Sequence, residues 1–374
     1  MRILLQTAFS PSIGGIETLS MLLATEWHRA GVSVSVCTPI KGLNHGPEVF
    51  PFPVHRRPTP MKLLRLSRTA DLVVQMNISL RRLWPMTCCR TPWIAVHHGP
   101  YSTPGNEQRG WRDKLKLLCA GTASANICPS GYIARKIGLS CHVIPNAYDA
   151  SIFWSPQDAT EQRAGDLAFV GRLVCEKGLR VLLDALAILK PSAQPRLTII
   201  GDGSERKALE QQSRHLGLAS VDFVGAKPPA EVAQLLQTHR ILVVPSLSEE
   251  PFGIVALEGA ACGCVVLGSN GGGLPEAIGT TGATFQRGDA ADLAAKLALL
   301  LAHRAEWVHY REAAAAHLAR HQPARVAAQY LDVFRIVLGP LASLGAKRRG
   351  LRQSSGAFPQ IAPMPDPPNP RLCF

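Results

Sequence analysis

Aromatic residues are scarce in this sequence, at 6%, and no RNA- or DNA-binding motif accompanies them. The basic excess, 40 Lys+Arg against 27 Asp+Glu, is therefore not read as nucleic-acid binding. Long apolar runs are also missing: no window approaches eighteen uninterrupted apolar residues, so no membrane-spanning helix is expected. The opening Met1-Arg2-Ile3-Leu4-Leu5 breaks at Gln6 before a signal-peptide core can form, and reads as a first strand. The ten cysteines include no C-x-x-C; Cys88-Cys89 is vicinal and Cys262-x-Cys264 lies in an apolar run. That excludes a disulfide framework or zinc site by spacing, and predicts reduced, mostly buried cysteines in a cytoplasmic protein. The turn after the first strand lacks G-x-G-x-x-G spacing, which argues against a nicotinamide dinucleotide.

What the chain does have is core material, with 46% hydrophobic residues, in a length of 374 that exceeds one ordinary core. Short apolar or β-branched runs alternate with helical periodicity throughout, the pattern of parallel α/β sheets. One set of strands is predicted at residues 2–5, 32–36, 71–74, 93–96, 125–128 and 142–144. A second set is predicted at 167–170, 197–200, 222–224, 241–244, 265–267 and 283–285. The clearest helices are 17–30, 179–189, 290–301 and 323–338. The polar stretch 151–165 reads as the linker, giving an N-terminal domain over 1–160, a C-terminal domain over 161–338 and a basic, Pro-rich, disordered tail over 339–374. The charge divides unevenly: residues 1–165 carry net +9, residues 166–339 are neutral, and residues 340–374 carry net +4.

Three local patterns carry chemistry. In Pro245-Ser246-Leu247-Ser248-Glu249-Glu250-Pro251-Phe252-Gly253-Ile254-Val255-Ala256-Leu257-Glu258, a buried strand runs into a helix, so unpaired N–H groups and a positive dipole end are available to phosphate. Two carboxylates beside it can accept hydrogen bonds from sugar hydroxyls, although an isolated Glu pair at this spacing reads first as two surface charges. In Gly171-Arg172-Leu173-Val174-Cys175-Glu176-Lys177-Gly178, another strand end supplies a guanidinium fork and a lysine point charge, with glycines that permit close backbone approach. Ser12-Ile13-Gly14-Gly15-Ile16-Glu17 is a glycine turn into a helix N-terminus.

In combination and in order, these patterns resemble the retaining glycosyltransferases of family four, which have the GT-B fold and use nucleotide sugars. Glu250 and Glu258 match that family's Glu, seven residues, Glu, and residues 171–178 are close to its Gly-Arg-Leu-x-x-x-Lys-Gly. Pro145-Asn146 with Asp149, Ile200-Gly201-Asp202-Gly203, and Gly271-Gly272 with Leu274-Pro275-Glu276 match further, so the resemblance covers about residues 1–338. It implies two Rossmann-like parallel-sheet domains facing a cleft, with the C-terminal helix crossing back to the first. It also implies that Arg172 and Lys177 hold the donor diphosphate, that Glu250 binds donor-sugar hydroxyls, and that Glu258 binds the nucleotide ribose. Gly171 and the backbone of Phe252, Gly253, Ile254 and Val255 would touch sugar and phosphate, and Gly14 and Gly15 would approach the phosphates when the cleft closes. The family transfers with retention and without a required metal or other cofactor, in keeping with the lack of any Asp-x-Asp here. Pro251 and Ala147 stand where glycines are common, which leaves the charged positions intact.

His97-His98-Gly99 ends the predicted strand 93–96, where many members of that family carry an active-site histidine. Alternation along the strand lets only one of the two face the cleft, and His97 is taken first without excluding His98; either ring could equally be satisfied inside the fold. The implied function is transfer of a hexose from a UDP- or GDP-sugar to a glycan or lipid-linked acceptor in polysaccharide or glycoconjugate biosynthesis. The alternatives are a nucleotide-sugar epimerase of the same architecture or a non-catalytic nucleotide-sugar-binding protein. The net +9 of the first domain, with cations and leucines interleaved over Lys62-Leu63-Leu64-Arg65-Leu66-Ser67-Arg68, predicts peripheral contact with anionic lipid at the inner membrane face, against the alternative that the leucines face the core.

Overall fold

The computed structural model describes residues 1–10, 14–42, 49–99, 101, 110–156, 163, 165–189 and 195–339. Residues 1–338 form one compact unit. The expected boundary at 160/161, the motif positions Ser12 and Ile13, and the tail beyond Gly339 lie outside the described residues.

The first half runs β1 (Arg2–Gln6), α1 (Gly15–Arg29), β2 (Ser33–Thr38), β3 (Val54–Arg56), α2 (Pro60–Thr69), β4 (Leu72–Met76), α3 (Leu80–Cys88), β5 (Trp93–Val96), α4 (Trp111–Ala120), β6 (Ala125–Cys128), α5 (Gly131–Ile137) and β7 (His142–Val143). The second runs β8 (Gly165–Val170), α6 (Leu179–Ile188), β9 (Leu197–Ile200), α7 (Arg206–His215), β10 (Val221–Gly225), α8 (Pro229–Gln237), β11 (His239–Val244), α9 (Ile254–Ala261), β12 (Val265–Ser269), α10 (Leu274–Ile278), β13 (Gly282–Phe285), α11 (Ala290–Ala302), α12 (Arg304–Ala319) and α13 (Pro323–Leu338). Two parallel sheets result, ordered β3-β2-β1-β4-β5-β6-β7 and β10-β9-β8-β11-β12-β13. This is the expected pair of Rossmann-like sheets.

Strands such as β4, buried at every residue, need helices on both faces, because a parallel sheet has no solvated side. Alternation sorts the side chains accordingly. Ile3, Leu5, Val74 and Ile94 pack against α1 and α13, while Leu4, Val73 and Ala95 pack against α2 and α3 through Leu63 and Leu83. The C-terminal helix crosses back as expected. Trp27 of α1 donates its indole N–H to the Ala327 carbonyl at 3.2 Å and packs its ring 5.1 Å from Phe334 and 5.8 Å from Tyr330.

Three expectations are corrected. The edge strand β3 was not anticipated, because a three-residue run containing His55 and Arg56 has no apolar periodicity; it exists by pairing with β2. In α2, Leu63 and Leu66 pack into the core, Leu64 is half-buried, and Met61, Lys62, Arg65 and Arg68 are exposed, since the sheet face beneath needs covering. That segment therefore presents mainly cations, with Met61, to its surroundings. The cysteines are free where described, but only Cys37, Cys128, Cys262 and Cys264 are buried. Among the described residues no helix is long and apolar enough to cross a membrane.

Candidate functional site

The carboxyl end of β11, a strand with a buried core between β8 and β12, opens into the loop that carries Glu250. The loop turns into α9 at Gly253, whose φ of 100° is left-handed and where a Cβ would lie 2.6 Å from the Leu274 side chain. Only glycine suits both constraints. No side chain caps α9, so its first N–H groups remain available to an anion.

The first and second sequence patterns, 73 residues apart, meet here. Glu250 Oε1 accepts from Lys177 Nζ at 2.6 Å and from Ser246 Oγ at 2.7 Å. Lys177 ends a short 3-10 turn, Cys175–Lys177, that closes at left-handed Gly178. A Cβ on Gly178 would collide with the Pro245 carbonyl, and Leu247 donates its N–H to the Glu176 carbonyl at 2.9 Å, so the two loops are joined backbone to backbone. Gly171 and Arg172 leave β8 on the same edge; Arg172 is exposed and has no side-chain hydrogen bond or ion pair among the described residues. Phe252 is buried, while Ile254 and Val255 form the first turn of α9.

Glu258 lies just over one turn into α9. Burial, reinforced by the Asp149 carboxylate, pushes its carboxyl up to about 7. Asp149, in the segment joining the halves, accepts from the Ser151 N–H at 3.0 Å and hydroxyl at 2.6 Å. From the first half, Gly15 opens α1, and a Cβ on it would sit 3.4 Å from Ile254 Cδ1. The uncapped first turns of α1 and α9 thus come into contact across the cleft, with two positive dipole ends at one place. Gly14 adjoins Glu17, whose carboxylate would be crowded by a Cβ there.

The two histidines differ. His97 is fully buried, its Nδ1 3.0 Å from the Tyr101 hydroxyl and its Nε2 2.8 Å from Asn126 Oδ1, so both ring nitrogens are used within the domain. His98 has its backbone N–H bonded to Asn77 Oδ1 at 2.8 Å, but its buried Nε2 has no hydrogen-bond partner. Burial lowers its ring to about 4, leaving a neutral imidazole. The two rings are therefore held differently: both nitrogens of His97 are engaged within the domain, and Nε2 of His98 is not.

The seam between the halves uses residues for which no role was assigned. Glu276 accepts the N–H groups of Gly131 and Tyr132 at 2.9 and 3.2 Å, capping α5 from the opposite sheet. Ser130 Oγ donates to the Pro251 carbonyl at 2.7 Å, and the Tyr132 hydroxyl donates to Glu249. Tyr132, Lys136 and Arg287 hold the Glu249 carboxyl below the usual range. Glu249 is thus a seam residue and Glu250 the cleft residue. The signal for Ser246 was its place four residues before Glu250; no local pattern marks Ser130 or Tyr132. Among the described residues no group of three or more His, Cys, Asp or Glu is placed to hold a metal ion.

The family described as Glycosyltransferase Family 4 matches residues 13–152, and that described as Glycosyl transferases group 1 matches residues 153–317. The chain is 34% identical over 287 residues to a D-inositol 3-phosphate glycosyltransferase of Corynebacterium urealyticum, covering 68% of this chain and 67% of that protein. It is 40% identical over 165 residues to a glycogen synthase of Mycobacterium tuberculosis, covering 42% of this chain and only 39% of that relative's length. Among solved structures, sucrose-phosphate synthase from Thermosynechococcus elongatus superposes with a TM-score of 0.75 at 21% identity, over 91% of this chain and 99% of that one. HepE of Anabaena, in complex with UDP and glucose, gives 0.73 at 22% identity, over 89% and 99%. At such identities the likeness is one of fold.

Proposed function

Because the chain belongs to the family-four glycosyltransferases, the glycosyl transferases of group 1, we propose that it transfers a hexose from a UDP- or GDP-sugar to a glycan or glycolipid acceptor, with retention and without a metal ion. The observation that carries this reading is the Lys177–Glu250–Ser246 cluster at the uncapped start of α9, facing the uncapped start of α1. In this reading the donor diphosphate lies against both helix ends, and Arg172 and Lys177 meet the charge that develops on it as its bond to the sugar breaks. Glu250, already held by two donors, accepts hydroxyls of the sugar. Glu258 accepts ribose hydroxyls, and the neutral ring of His98 offers a hydrogen bond to the sugar without adding charge. The UDP and glucose bound in HepE make UDP-sugars the first donors to test.

The acceptor is assigned to the first half, whose net +9 suits an anionic acceptor or the cytoplasmic membrane face that carries it. Exposed Lys62, Arg65 and Arg68 support that extension. A donor-hydrolysis assay on a nucleotide-sugar panel tests the core of the reading. Glu250→Ala and Lys177→Ala are each expected to reduce turnover by about 10²–10³-fold, the scale of losing one preorganised charge contact. Unchanged turnover in both variants would sink the assignment.

A further inference from the structure

The chain passes between the two sheets twice. The first passage follows β7 and runs through Asn146 to Asp149; the second joins α12, which packs against α9 and β12, to α13, which packs against α1. The two passages are tied to each other. His321 donates its Nδ1–H to the Asn146 carbonyl at 3.0 Å, and Gln322 donates its side-chain amide to the Tyr148 hydroxyl at 2.8 Å, across 175 and 174 residues of sequence. His321, Asn146 and Tyr148 are buried, so water does not readily replace either bond.

The tie extends to the loop that carries Glu250. The ring of His321 lies 5.7 Å from that of Phe252, the residue immediately before the left-handed turn at Gly253 that opens α9. It lies 4.7 Å from the ring of His317, whose Nε2 donates to the Ala277 carbonyl of α10 at 2.9 Å and whose Nδ1 accepts from Arg320 Nη2 at 3.1 Å. Burial lowers both rings, His321 to about 4, so each is neutral, with one N–H to give, and each gives it to a carbonyl. The first passage also reaches α9 directly, because Asp149 is the carboxylate that adds to the upward shift of Glu258.

Two halves joined by two short passages pivot at the few residues where the chain crosses, and bonds between the passages decide how freely they do so. His321 stands at that pivot and at the Phe252 turn together. An imidazole suits the place because it offers an aromatic surface to Phe252 and an N–H to Asn146 from one ring. A phenyl ring would supply only the first and a carboxamide only the second.

We propose that His321 is a positioning residue for the donor site: it holds the Phe252 turn against the pivot between the halves, with the Gln322–Tyr148 bond as a second tie. The link to the donor rests on the function proposed above; the tie itself does not. Amide hydrogen exchange on the full chain without ligand tests the tie. His321→Asn keeps an N–H donor near the place of Nδ1 and loses the ring, so residues 252–255 are expected to exchange about three- to tenfold faster while 146–149 stay protected. His321→Phe keeps the ring and loses the donor, and the pattern is expected to reverse. Kinetics with whichever nucleotide sugar the donor panel identifies then test the positioning. Both variants are expected to raise the donor KM by about three- to tenfold and leave kcat within about twofold, since the turn acts on ground-state binding. Tyr148→Phe, which removes only the second tie and keeps the packing, is expected to shift KM in the same direction. Unchanged exchange at 252–255 in His321→Asn, or a lower Tm with an unchanged donor KM in all three variants, overturns the proposal. The expected exchange pattern in a protein that turns over no nucleotide sugar would uphold the tie and remove the glycosyltransferase reading instead.

Discussion

Glu258 has its carboxyl pushed up to about 7 by burial and by Asp149, and so titrates near neutrality. Since the folded value lies above the ordinary one, the folded chain binds the proton more tightly than the unfolded chain, and stability falls as pH rises from about 4.5 through 7. The penalty is fully present above that window, on the order of 2 kcal/mol after allowing for partial exposure. Glu258→Gln is therefore expected to raise Tm at pH 8 and leave it unchanged at pH 4; an equal shift at both would contradict the cause given. If ribose hydroxyls donate to the ionised group, donor affinity should also rise between pH 6 and 8 in the wild type and lose that rise in the glutamine variant. The histidines make a second residue-scale test. His97→Ala leaves Tyr101 and Asn126 without their ring partner, roughly 1–3 kcal/mol for each buried group, and is expected to lower Tm more than His98→Ala does. His98→Ala is expected to lower turnover, and equal Tm losses would remove this division of roles.

Among elements, α13 shows how a segment remote in sequence completes a core. Val326, Tyr330, Val333 and Phe334 join the cluster built by β1, β2, β4 and α1, so the last helix of the chain belongs to the first sheet. Trp27 is the point of contact, fully buried between the two helices. Trp27→Ala is expected to cost about 3–5 kcal/mol, measured as a lower denaturation midpoint, through the cavity it leaves. A loss below about 1 kcal/mol would mean that α13 is not held there. At α9, Gly253→Ala is expected to destabilise the turn by strain and by overlap with Leu274, and to weaken donor binding with it.

On the scale of the whole molecule, the two sheets meet along a polar seam instead of a continuous apolar interface. Its members are Glu276 over α5, Ser130 on the Pro251 carbonyl, and Tyr132 on Glu249. Contacts of this kind suit halves that can move relative to one another. Glu276→Ala, which removes the cross-seam acceptor of the Gly131 and Tyr132 N–H groups, is expected to enlarge the radius of gyration in small-angle scattering without lowering secondary-structure content. An unchanged radius would show that other contacts hold the halves together.

Much of this was legible from residue order. Alternating apolar runs and helical stripes dictate parallel sheets wherever the chain folds, because each strand must bury both faces. The strand-end glycines and charges of 171–178 and 245–258 are legible as a pattern, and take their reading as a donor edge from the family resemblance. Tertiary structure decided the rest. That Lys177 reaches Glu250, that Glu258 neighbours Asp149, that His98 and not His97 keeps an unpaired ring nitrogen, and that Leu63 and Leu66 of α2 turn inward all depend on which distant segments become neighbours. Local periodicity places a side chain on a face, but burial, partner and protonation are set by what packs against that face.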